Sequence, residues 1–88
     1  MRVPIKPSFE EVVCIVVRLL RNEREKQKIS MNVLSKRAGL SQAMVSLVER
    51  DLRNPTLDTL LRIANALELD LGKVISKATK LAGSKKKK

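Results

Sequence analysis

The sequence contains no histidine, tryptophan or tyrosine, one phenylalanine (Phe9) and one cysteine (Cys14). Each absence closes a class of function. Without histidine and with a lone thiol, neither a disulfide framework nor a His/Cys metal cluster can form within the chain, so no metal is expected. The usual nucleophile–base pairs lack their base, so an enzyme is not expected and no cofactor is implied. A single aromatic ring is too few for a stacking platform on single-stranded nucleic acid. Long apolar runs are also missing. The most apolar stretch, Val12 to Leu20, is nine residues with Arg18 inside, whereas a membrane span needs about 20. Two glutamates precede it and no small-residue cleavage site follows, so it does not read as a signal peptide either.

What is present fits one small folded domain. The chain has 88 residues, 43% apolar and 32% charged, a balance that suits a packed core rather than a disordered chain. Lysine and arginine number 19 against 9 acids, a net charge of 19 − 9 = +10. That excess favours a polyanionic partner, nucleic acid or an anionic membrane surface, without choosing between them.

Helix punctuation is dense. Pro4 and Pro7 break residues 1–7 into an extended arm. Ser8-Phe9-Glu10-Glu11 has capping-box spacing, and two glutamates suit the positive end of a helix dipole. Taken alone the β-branched run after it could be a buried strand. Its continuation to Gln27 contains good helix formers and no breaker, so one helix is expected from about Ser8 to Gln27. Ser30 caps a short helix to Ala38 that buries Val33, Leu34 and Ala38, and Gly39 occupies the left-handed position that ends it. Ser41 caps Gln42 to Arg50. Thr56, after Pro55, caps a helix with Leu57, Leu60, Leu61, Ala64 and Leu67 at helical spacing. A last helix from about Asp70 to Lys80 offers Leu71, Val74 and Ile75, and residues 83–88 read as a disordered basic tail. The expected fold is all-α: five helices over residues 8–82, no sheet.

Two short helices joined by Gly39-Leu40-Ser41 have helix-turn-helix organisation. On the second, Val45 and Val48 face inward, while Ala43, Ser46, Leu47 and Arg50 form one outward face beside Gln42. The run from Glu49 to Leu67 resembles, nearly position for position, the pattern of the Cro/C1-type (XRE-like) helix-turn-helix family, and Ser35 to Ser41 resembles that family's turn. The resemblance covers Ile29 to Ile75. It implies a phage-repressor-like fold and a sequence-specific regulator of repressor type that reads double-stranded DNA in the cytoplasm, at the nucleoid. Carried over by position, the base readers are Gln42, Ala43, Ser46 and Leu47. Gln42 suits adenine N6/N7, and Ala43 a thymine methyl. Phosphate contacts fall to Ser30, Asn32, Ser41, Arg50, Arg53 and Asn54. Arg24 and Glu49 match a structural ion pair.

Three residues depart from the pattern. Met31 replaces a usual glutamine, Asp51 a usual glycine, and Leu47 takes a position that often carries a polar reader. On the first helix Val13, Val16, Val17 and Leu20 suffice for the core. Val12, Ile15 and Leu19 then form a second stripe, which the arm or the last helix would cover, or which would pair two copies; a homodimer is preferred. The alternative function is an antitoxin or coactivator-like module that chiefly binds another protein.

Overall fold

The structure, a computed structural model, describes residues 9–52 and 54–87. Its elements are α1 (Phe9–Lys26), α2 (Met31–Ala38), α3 (Gln42–Glu49), α4 (Leu57–Ala66) and α5 (Leu71–Lys87). There is no strand among the described residues, and no described helix is long and apolar enough to cross a membrane. The arm over residues 1–7, the Ser8 cap and the Arg53 contact lie outside the described residues.

Hydroxyl caps start the three central helices. Ser30 Oγ accepts from the Val33 N–H at 3.1 Å, Ser41 Oγ from Met44 at 3.0 Å, and Thr56 Oγ1 from Thr59 at 3.1 Å. Such a cap typically contributes about 1 kcal/mol by satisfying an amide the helix leaves unpaired.

Helices α1 to α4 end by a common device that the sequence announces only once. Gly39 is left-handed (φ 71°), and so are Lys28, Asp51 and Glu68 (φ 59°, 58° and 61°). At each, the next amide bonds back to a carbonyl five residues earlier, as in Ile29 to Arg24, Leu40 to Ser35, Leu52 to Leu47 and Leu69 to Ala64. This is the Schellman arrangement, which pairs the last carbonyls of a helix at the cost of one left-handed residue. A side chain there is strained by up to about 1–2 kcal/mol. Asp51→Gly is therefore expected to raise the free energy of unfolding by about 0.5–1 kcal/mol, net of glycine's greater freedom when unfolded. A denaturant midpoint that does not move upward would contradict this.

The core draws on every helix: Ile15, Val16, Val17 and Leu20 of α1; Leu34 and Ala38 of α2; Val45 and Val48 of α3; Leu60, Ile63 and Ala64 of α4; Leu71, Ala78 and Ala82 of α5. Several residues depart from their expected places. Val33, Leu57 and Leu61 are exposed, whereas Ser35 and Thr59 are buried. The two hydroxyls can be buried because each finds a nearby partner: Ser35 Oγ donates to the Asn32 carbonyl, and Thr59 bonds Thr56 through both hydroxyl and amide.

The largest difference is α5. It does not stop near Lys80; the helix runs to Lys87. Ala78 and Ala82 extend its buried stripe by one turn at a time. Their small side chains let α5 lie antiparallel along α1, with Val74 beside Leu19 at one end and Ala82 beside Ile15 at the other. That contact outweighs the roughly 1 kcal/mol a helical glycine costs. It also corrects the second stripe of α1. Ile15 is buried and Leu19 is half-buried beside α5, whereas Val12, also half-buried, lines an open groove between α1, α4 and α5, so α5 covers part of what the sequence leaves as a candidate pairing surface.

Candidate nucleic-acid interface

At eight residues each, α2 and α3 are too short to persist alone, so their positions are set by what they pack on. Val45 and Val48 anchor α3 in the core with almost no exposure. Its last residue, Glu49, is tied to α1. Arg24 donates from Nε to Glu49 Oε2 at 2.7 Å and from Nη2 to Oε1 at 3.0 Å, and from Nη1 to the Ile29 carbonyl at 2.6 Å. One guanidinium thus joins the end of α1, the approach to α2 and the end of α3. The hydrogen bond and charge of Glu49 hold the Arg24 pKa above its ordinary value, against the opposing effect of burial. A raised value for a cation means that its contribution is complete below the ordinary guanidinium pKa and is lost only as pH rises through the folded value, far above working conditions.

A second arginine, which sequence reasoning did not single out, supports the turn. Arg62 pairs with Asp58 at 2.8 Å and extends Nη1 to the Ala38 carbonyl at 3.5 Å. It thereby places positive charge at the C-terminus of α2, beside the left-handed Gly39, whose missing side chain leaves room for that guanidinium. The Asp58–Arg62 spacing was legible as a helix pair; its reach to α2 was not.

The expected base-reading residues do not stand equally clear of the protein. Gln42 and Ala43 are exposed at the start of α3, while Ser46 and Leu47, one turn on, are half-buried. Leu47 is therefore only partly available to a ligand. Arg50 is exposed, and its Nη1 lies 3.4 Å from Ser46 Oγ, on the same face.

Ser30, Asn32 and Ser41 are exposed at the first turns of α2 and α3, and Asn54 is exposed beyond α3. The capping hydroxyls accept from amides, which leaves each O–H proton free to donate outward. Met31 is half-buried against the core; it packs rather than braces. Charge separates these helix starts from those of α1 and α4. α1 begins with Glu10 and Glu11 and α4 with Asp58, but α2 and α3 carry no acid in their first turns. The positive dipole ends of α2 and α3 are not neutralised by the protein, a condition that suits an external anion.

A short helix laid on the core, entered through a tight turn from another, and presenting its first turn to solvent defines a helix-turn-helix domain. Residues 20–74 match the family model described as helix-turn-helix. The chain belongs to that family, in its Cro/C1-type (XRE-like) branch.

Relatives carry related descriptions. An HTH-type transcriptional regulator of Sinorhizobium fredii is 41% identical over 56 residues, 64% of this chain and 29% of its own. Another from Mycobacterium tuberculosis is 44% identical over 50 residues, 57% of this chain and 36% of its own. The chain thus spans about a third of the length of the curated relatives it matches. Among solved structures, the P22 c2 repressor in complex with a synthetic operator is similar at TM-score 0.61 and 28% identity, over 68% of this chain and 91% of its own. The restriction–modification controller protein C.Esp1396I reaches TM-score 0.69 at 23% identity, over 81% and 94%, a likeness of fold.

Proposed function

We propose that the protein is a sequence-specific double-stranded DNA-binding transcriptional regulator of repressor type, acting as a homodimer that reads the major groove with α3. The observation that carries this is the mounting of α3. Its buried valines and the Arg24–Glu49 pair fix one side and its far end, so that Gln42 and Ala43 are the residues left to approach a groove. Gln42 and Ala43 at the first turn, with Ser46 and Leu47 behind them, are proposed to contact base edges. Ser30, Asn32, Ser41, Arg50, Arg53 and Asn54 are proposed to hold phosphates. The likeness to the P22 c2 repressor, which is seen with operator DNA, supports duplex DNA as the ligand.

Selection of bound sequences from a random duplex pool at fixed salt tests the reading. The expected result is a defined site with two half-sites about 34–36 Å apart, one turn of DNA. A pool that stays random after selection would remove sequence-specific binding from consideration. On the selected site Gln42→Ala should cost about 1–3 kcal/mol, the value of a good bidentate base contact, with little change on random duplex. Equal losses on both would mean that Gln42 does not read sequence.

A further inference from the structure

The net charge of the chain is not spread evenly. Residues 1–70 hold 12 lysines and arginines against all 9 acids, 12 − 9 = +3. Residues 71–88 hold 7 lysines and no acid, 7 − 0 = +7. The part that includes the helix-turn-helix is therefore close to balance, and its Arg21, Arg24 and Arg62 are already paired with carboxylates. α5 carries no acid from Leu71 to Lys87. A surface kept soluble by charge intersperses both signs, whereas a field of one sign attracts a polyanion.

Within α5 the charge is also ordered. Lys73, Lys77 and Lys80 are exposed. At 3.6 residues per turn they fall within about 60° of one another, about 150° from the buried stripe of Leu71, Ala78 and Ala82. The row is about 10 Å long. Among the described residues none of the three makes an ion pair. Gly72 and Ser76 stand beside them and leave an open hollow of about 400 Å³. Asp70, the acid at its edge, accepts the Lys73 N–H at 3.4 Å. Lys73 lies in the first turn of α5, where a cation opposes the helix dipole, so helix stability does not account for it.

The row is separate from α3. α5 packs on α1 and α4, whereas α3 packs on α1 and α2. The side of α1 turned to the end of α3 carries Cys14, Arg18 and Arg21; the side turned to α5 carries Leu19 and Glu23. We infer that Lys73, Lys77 and Lys80 form a second duplex-binding surface, which grips the phosphate backbone of another DNA segment without regard to sequence while α3 holds its selected site. Lysine is a compact point charge on a flexible stem, suited to phosphates, which position a protein but carry no sequence. Each strand of a duplex offers one phosphate per about 3.4 Å of axis, so the row meets about three. A membrane fits less well, because an interfacial helix buries its apolar face in lipid, and the buried stripe of α5 is spent on the core. The inference rests on the reading of α3 as a duplex reader and adds the joining of two segments by one protein.

Capture of a second duplex tests it. The full chain is loaded on an immobilised duplex of about 20 bp, room for the two half-sites only. A labelled duplex of random sequence is then added at salt from about 50 to 200 mM. The wild type is expected to retain the label. The triple change Lys73→Gln, Lys77→Gln and Lys80→Gln should weaken that retention about tenfold or more. It should also flatten the salt slope by about 2.7 per chain, three contacts at about 0.9 each. Affinity for the selected duplex alone should not change. Glutamine matches lysine in helix propensity, so circular dichroism should be unaltered, and the triple change to arginine, which keeps the charge, should retain the label. A wild type that holds the selected duplex but captures no second one at the lowest salt overturns the inference and leaves DNA recognition standing. So does a glutamine variant that captures as well as the wild type. Loss of affinity and slope on the selected duplex itself overturns it too, because the row would then lie on the same segment. Anionic vesicles that bind the wild type more tightly than random duplex does, and release the glutamine variant, would make lipid the ligand and overturn it. If selection returned no site and the glutamine change still weakened binding to random duplex, the reading of α3 would fail and the α5 surface would remain.

Discussion

Glu49→Ala is expected to destabilise the fold by about 3–5 kcal/mol, and Arg24→Ala by a similar amount. The two side chains are 10% and 5% exposed and share two bonds of 2.7 and 3.0 Å. Removing the carboxylate strands a buried guanidinium with only the Ile29 carbonyl as a hydrogen-bond partner and Glu25 at 3.9 Å. An exposed pair would give no more than about 1 kcal/mol, and burial decides between the two regimes. A domain of this size has only about 5–15 kcal/mol to lose, so a substantial fraction of molecules should unfold on mild heating. The double change Arg24→Met with Glu49→Leu should restore much of the stability, because apolar packing avoids the desolvation cost that the ion pair carries. Its DNA affinity is the informative quantity. If the pair orients α3, the double variant should stay folded yet bind the selected site less tightly. Chemical denaturation of all four proteins measures the first part; a loss below about 1 kcal/mol in both single variants would contradict it.

Affinity for the selected duplex is expected to fall about a hundredfold between 50 and 200 mM salt. Arg50 and Arg53 are the charged members of the proposed phosphate set, two per chain and four per dimer. Each neutralised phosphate contributes a slope of about −0.9 in log affinity against log salt, giving about −3.6 in all and roughly 150-fold over a fourfold salt increase. The uncharged donors Ser30, Asn32, Ser41 and Asn54 hold phosphates without releasing counterions, so they add affinity but little slope. Titrations at several salt concentrations separate the possibilities. A slope near −2 would point to one chain per site. One near −10 would bring in α5, where Lys73, Lys77 and Lys80 are exposed, or the terminal lysines. Arg50→Ala should lower the slope by about one per chain and weaken all sequences alike.

Much of this architecture was legible where the chemistry is local. Ser30, Ser41 and Thr56 announce helix starts because a hydroxyl caps an amide three residues away. Gly39 announces a turn because it takes a left-handed backbone without strain. The ends at Lys28 and Glu68 were silent. Their left-handed residues are ordinary charged ones, accepted because the flanking Schellman bonds and the packing of Ile29 and Leu69 on the core favour the turn.

Helical spacing located the apolar faces of α1 and α4 but not their limits. Leu57 and Leu61 share a stripe with Leu60 and remain exposed, because spacing along one helix does not say how far its neighbours reach around it. Ile15 looked spare until α5 proved long enough to cover it. The recognition helix was legible as a pattern, whereas the partial burial of Ser46 and Leu47 and the reach of Arg62 to α2 depend on how neighbouring helices are set.

The sequence by itself determined the class: an all-helical, basic domain with the helix-turn-helix pattern and no histidine. Caps, turns and periodicity act within a few residues, so they survive reading along one dimension. The tertiary structure decided which faces are spent and which are left. It brought Arg62 to the Ala38 carbonyl across 24 residues of chain, covered part of α1 with α5, and left Phe9 beside an open groove. Those outcomes depend on the distances between helices, and distance between helices is fixed by the volumes of side chains far apart in the sequence.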